Sequence, residues 1–145
     1  MNIPRWLAAA ALGALLAPPV WAQQLKTVEG LVINLGLMSA EQAIHAEGHR
    51  DAHPSTFPSG SEHVLITLAD EKTHRPIGGA EVTVEVLDPK GKAVSKPLLP
   101  TSAGGMPDYS ELFVFGWSGT YTLRVSVLPK GAKPVKANFT VHHQL

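Results

Sequence analysis

Four of the seven histidines, His45, His49, His53 and His63, fall within 19 residues, and His142 and His143 stand near the end of the chain. Neutral imidazole is a good ligand for copper, zinc and nickel. His45 and His49 are spaced i, i+4, which puts both rings on one face of a helix. Gly48 weakens such a helix, and Pro54 biases His53 toward an extended conformation, so the three do not share one continuous helix. A looser site gathers His45, His49 and His53, completed by Asp51 or His63. Met38 and Met106 add thioether donors suited to reduced copper. If Val141 points inward, His142 points out and His143 returns to the core side, making His143 a further candidate ligand. Against this stands the plainer account, in which these imidazoles are solvated loop side chains, since their spacing matches no recognised ligand pattern.

Catalytic constellations are absent from the sequence. There is no Gly-x-Ser-x-Gly elbow, no His-Glu-x-x-His and no phosphate-cradling glycine loop. Ser59-Gly60-Ser61-Glu62-His63 has suitable residue types but lies in a polar loop where such types are common. The expectation is therefore a protein that is not an enzyme. With no cysteine, thiol catalysis, thiolate zinc sites, lipid attachment through an N-terminal Cys and a cysteine-ligated blue-copper centre are all excluded. Lys90, Lys92, Lys96, Lys130, Lys133 and Lys136 fall at hairpin turns and an edge, where lysines commonly protect a sheet from pairing with another. An anionic partner is the competing use.

The N-terminus carries Arg5, an apolar run from Trp6 to Ala17, Pro18-Pro19, and then Val20-Trp21-Ala22. That is the plan of a cleavable secretory signal over residues 1–22, and the run is shorter than the roughly 20 apolar residues a membrane span needs. Cleavage leaves a single domain, residues 23–145, beginning at Gln23, with eleven basic and twelve acidic side chains. Near-zero charge argues against nucleic acid as a partner. The mature chain is expected to lack a membrane span and to work in the periplasm.

The mature part reads as short strands separated by Gly and Pro turns. Strands are expected over Val28 to Met38, Glu62 to Ala69, Gly79 to Leu87, Ala93 to Leu99, Tyr109 to Phe115, Thr120 to Leu128 and Val135 to His143. Pro97 confines the Ala93–Leu99 strand to an edge. Ser39-Ala40-Glu41-Gln42 fits a capping box opening a short helix through Glu47. His45 to His63 then holds the His-rich loop, and long loops in compact domains are often functional. Alternation is clearest at Ala80, Val82, Val84 and Val86 and again at Tyr121, Leu123, Val125 and Val127. The expected fold is all-β, an immunoglobulin-like two-sheet antiparallel sandwich of about seven strands with one short helix.

Ile77-Gly78-Gly79-Ala80-Glu81-Val82-Thr83-Val84, the turn Asp88 to Gly91, and Gly119-Thr120-Tyr121-Thr122-Leu123-Arg124-Val125 form a pattern. It resembles exported bacterial immunoglobulin-like domains of the YtkA-like kind, similar in architecture to copper-resistance sandwiches, over roughly residues 62–143. The resemblance implies an envelope accessory protein and a role in metal handling. The chain departs from copper-resistance sandwiches at its expected mature start, where Gln23-Gln24 stands in place of a ligating His. Two functions follow as expectations: a periplasmic binding protein for copper or zinc, acting through His45, His49, His53 and His63, or a metal-free module that binds an envelope protein through the Ala93–Leu99 edge and the loop over 48–61.

Overall fold

Alternation of buried apolar residues with more exposed ones runs along the strand segments 31–37, 64–68, 82–86, 121–127 and 135–141. The computed structural model describes residues 22–46, 57–101 and 105–145. Eight strands and one helix follow in order: β1 (Ala22–Val28), β2 (Leu31–Ser39), α1 (Ala40–Ala46), β3 (Ser61–Asp70), β4 (Glu81–Leu87), β5 (Ala93–Thr101), β6 (Asp108–Val114), β7 (Gly119–Leu128) and β8 (Val135–His143). All neighbours are antiparallel, in the spatial order β1-β2-β3-β6-β5-β4-β7-β8. The all-β class and the short helix are as the sequence predicts.

The strand count and the separation into two sheets are corrected. The run Val28–Met38 is not one strand. Glu29 and Gly30 both have positive φ, 49° and 79°, the backbone of a two-residue type I′ hairpin turn, and the chain doubles back there. Gln23–Lys26 becomes strand by pairing with Gly36, Leu35, Asn34 and Ile33 of β2, not by alternation of its own; Leu25 remains 64% exposed.

The eight strands form one sheet because β5 serves both halves. Its first part, Ala93–Leu98, pairs with β4, and Leu99–Thr101 pairs with β6. Thus β5 is not a sheet edge along its whole length, although Pro97 does fall in the part paired on one side alone. The two outer strands nearly meet, and side chains bridge them: Gln24 Nε2 donates to Thr140 O at 2.5 Å and Lys26 Nζ donates to Asn138 O. The result is close to a barrel.

Its interior is filled by inward residues of every strand from β2 to β8, among them Ile33, Leu35, Val64, Ile66, Val84, Leu123, Val125 and Phe139, each at most 1% exposed. The Tyr109 hydroxyl satisfies two backbone groups of the β3–β4 connection. It accepts from Ala80 N at 3.0 Å and donates to Ile77 O at 3.3 Å. Tyr121 does the same for the β6–β7 turn, accepting from Trp117 N and donating to Trp117 O.

Candidate functional site

One end of the barrel collects the start of α1, the return into β3, the end of β6 and the end of β8. The capping box forms: Gln42 N–H donates to Ser39 Oγ at 3.2 Å and Ser39 N–H to Gln42 Oε1 at 3.3 Å, so two otherwise orphaned helix donors are satisfied. Ala40 and Ala43 of α1 are buried. The return into β3 is held by Ser61, whose N–H and Oγ both donate to Pro58 O at 3.1 and 2.7 Å. Phe115 N–H donates to Gly60 O at 2.7 Å. Gly60 has φ +77°, and a Cβ there would lie 2.4 Å from Phe115 O. Only glycine lets the chain pass so close to the end of β6 at that point.

This approach aims Glu62 inward. Val64, Ile66 and Leu68 face the core, and Glu62 is the preceding residue on the same face. On β8 the inward set Val135, Ala137, Phe139 and Val141 is continued by His143. The two polar side chains meet where the apolar columns end. His143 Nδ1 lies 3.6 Å from Glu62 Oε1, with the side chains only 14% and 16% exposed. The imidazole packs against Phe115 and Tyr121, with centroids 5.4 and 6.1 Å away. Its Nε2 is buried without a hydrogen-bond partner among the described residues.

Burial pushes the Glu62 carboxyl up from its ordinary value and pushes the His143 imidazole down. An ion pair would move each group the other way, so desolvation outweighs attraction here. At 3.6 Å the contact is also too long for a good hydrogen bond. At neutral pH it is a neutral imidazole beside a carboxyl, which is the protonation state in which histidine coordinates a metal.

The other predicted ligands are distributed as follows. His45 lies in α1, while His49, Asp51 and His53 lie outside the described residues. His63 is on the outer face of β3 and pairs in register with Met38 on the outer face of β2, so these two are cross-strand neighbours. His142 also faces outward, its Nδ1 3.0 Å from Thr120 Oγ1. Met106 is 56% exposed and belongs to the opposite end: the following Pro107 packs near Gly78, and β6 runs for on the order of 20 Å before reaching Phe113. Among the described residues no group of three His, Cys, Asp or Glu is gathered tightly enough to hold an ion. Glu62 was not among the sequence candidates. Its signal was available in the parity that also marks His143, two residues beyond the last buried aliphatic of its strand.

Solved structures share this architecture. A DUF4426 family protein from Pseudomonas aeruginosa superposes with a TM-score of 0.66 at 14% identity, over 83% of this chain and 96% of that one. A copper-bound variant of FetP from uropathogenic Escherichia coli gives 0.66 at 12% identity, over 85% and 95%. Copper-reconstituted P19 from Campylobacter jejuni gives 0.60 at 13% identity, over 83% and 92%. The fold is shared. At these identities the likeness extends to the fold alone. No protein-family profile matches the sequence, and no curated protein matches it. Among the described residues no helix is long and apolar enough to cross a membrane.

Proposed function

We propose that this is an exported, periplasmic, non-catalytic protein that handles copper, with zinc as the competing ion, through the His-rich segment and the barrel end beside it. The observation that carries it is the His143–Glu62 contact: a desolvated imidazole whose buried nitrogen has no partner among the described residues, next to a carboxyl. That segment leaves α1 at Ala46 and returns at Phe57, so the sequence connects it directly to this end. The donor chemistry, imidazole with carboxylate and thioether, suits copper. His45, His49, His53 and His63 are the principal ligands, with Asp51, Met38 and His143 as additional donors. Met106, at the far end, has no part in the same centre. That FetP and P19, which share the fold, have been seen copper-bound supports this choice of ion.

Glu62 and His143 fit such a centre in distinct ways. His143 offers a lone pair from a rigid strand end, walled by Phe115 and Tyr121, and Glu62 balances the charge of a divalent ion. A bound copper ion would add positive charge beside the buried Glu62 carboxyl, which faces a neutral ring. Expected cleavage after Ala22 leaves Gln23 within β1, opposite Gly36, so the free amine starts at the same end of the sheet.

The test uses untagged mature chain purified from periplasm. It should carry copper by metal analysis and bind Cu(II) more tightly than Zn(II) by calorimetry. Simultaneous replacement of His45, His49, His53 and His63 by Ala should abolish tight binding, and His143→Gln should weaken it. Unchanged copper affinity in the fourfold variant would end this assignment.

A further inference from the structure

Between β5 and β6 the sheet comes apart. The two strands pair over Leu99–Thr101 and Asp108–Ser110. Beyond that, Ala93–Leu98 follows β4 and Glu111–Val114 follows β3, so each presents a strand edge to the other. Continued register would set Pro97 opposite Leu112, but proline has no N–H to give a ladder. Side chains stand in: Leu112 N–H donates to Glu111 Oε1 at 2.8 Å, and Lys96 Nζ donates to Leu112 O at 2.6 Å. In an antiparallel strand the two polar groups of one residue point the same way and alternate along the chain. Leu112 and Val114 therefore both address this seam.

The seam opens into a cleft of about 300 Å³. Phe113 and Tyr121, 2% and 1% exposed, form its floor, while Val94, Val114 and Trp117, 42%, 56% and 48% exposed, form its rim. Exposed apolar side chains beside unpaired strand edges are the features that strand addition uses. The charge is mainly basic. Lys92 and Lys96 flank Val94 on the cleft side, and Lys90 Nζ sits 3.0 Å from the Trp117 ring centroid. The acid in the lining, Asp88, is committed to its own turn, its Oδ1 accepting the Lys90 and Lys92 N–H groups at 2.8 Å. Glu111 is likewise engaged with Leu112.

We propose that this seam binds an extended segment of another protein by strand addition, one that presents an acidic, an apolar and an acidic side chain at i, i+2 and i+4. Those positions match the alternation of Lys92, just before β5, with Val94 and Lys96 within it, and the incoming backbone displaces the Lys96 and Glu111 side chains from Leu112. A second copy of this chain fits poorly, because a two-fold pairing would set the same lysines against one another. An anionic membrane offers the charge but no backbone for the edges.

Trp117 is the only tryptophan beyond the expected signal and reports on the cleft directly. The probe is an acetylated, amidated decapeptide with Glu, Val and Glu at alternate positions and Thr between, titrated into the mature chain with EDTA present, so that the outcome is independent of copper. A saturable change in Trp117 fluorescence is expected, weakening with salt. Lys92→Glu should reduce affinity at least about tenfold, whereas Lys130→Glu, in the β7–β8 turn, should leave it unchanged. Lys92 is engaged in the turn through its backbone, its N–H donating to Asp88 Oδ1 and its C=O accepting from Asp88 N–H, so the fold survives a change of its side chain; matching circular dichroism verifies it. Four results overturn the proposal: no saturable signal, equal binding of a peptide with Lys in place of Glu, equal binding of a peptide N-methylated at alternate residues, or response to phosphatidylglycerol vesicles alone.

Discussion

Gly60 is the tightest point in the wall of the candidate site, and Gly60→Ala tests whether that wall is rigid. Two costs add. A non-glycine residue at φ +77° carries about 1–2 kcal/mol of left-handed strain. The new Cβ also sits 2.4 Å from Phe115 O and 3.0 Å from Phe115 C, so the backbone at the end of β6 must move. Phe115 is fully buried, with its ring 4.5 Å from Tyr121 and 5.4 Å from His143. Shifting it weakens the 2.7 Å Phe115–Gly60 bond and overpacks the core, which together cost about 2–3 kcal/mol. The expected total is about 3–5 kcal/mol. Gly91 is the control: its φ is +86° and an added methyl would meet nothing within 4 Å, so Gly91→Ala carries the strain alone, about 1–2 kcal/mol. Urea denaturation followed by circular dichroism measures both, with unchanged m-values expected. On heating, Gly60→Ala should lose roughly 10–20 °C. Equal losses for the two variants would refute a tight Gly60–Phe115 approach. The His143 environment would then have no rigid wall on that side.

The pH dependence of the metal-free protein follows from the same end of the barrel. His143 is pushed below its ordinary 6.5 by burial, so the unfolded chain takes up the proton first, and stability falls as pH drops below about 6.5. Glu62 is pushed up from 4.5 and contributes the opposite slope, losing stability as pH rises through the carboxylate range. His143→Gln should flatten the decline below about pH 6.5 in urea titrations; an unchanged slope would mean the ring is not desolvated. Ser39→Ala removes the α1 cap and should cost about 1 kcal/mol, read by the same denaturation, with hydrogen exchange rising at Gln42. No change at Gln42 would show the cap to be idle.

The sequence exposed the inward columns because a strand's facing is set by its own alternation. Val82, Val84 and Val86, Tyr121 through Val127, and Val135 through Val141 are buried as that pattern demands. The Ser39–Gln42 cap was equally legible, being a contact between residues three apart. The Glu29–Gly30 hairpin was not. Positive φ at a glutamate is uncommon, and the Val-, Ile- and Leu-rich residues on either side of it mimic one strand.

What the chain alone determined is its class, its period-two core and the inward facing of His143. Tertiary structure decided what no local pattern encodes: that β1 adds an eighth strand, that β5 joins both halves into one sheet, and that Glu62 meets His143 across strands far apart in the chain. It also decided that Met106 lies far from them and that Pro97 leaves a seam beside Leu112. Local alternation specifies which face a side chain takes. Which faces meet depends on long-range register, and that is set only when the whole sheet closes around one core.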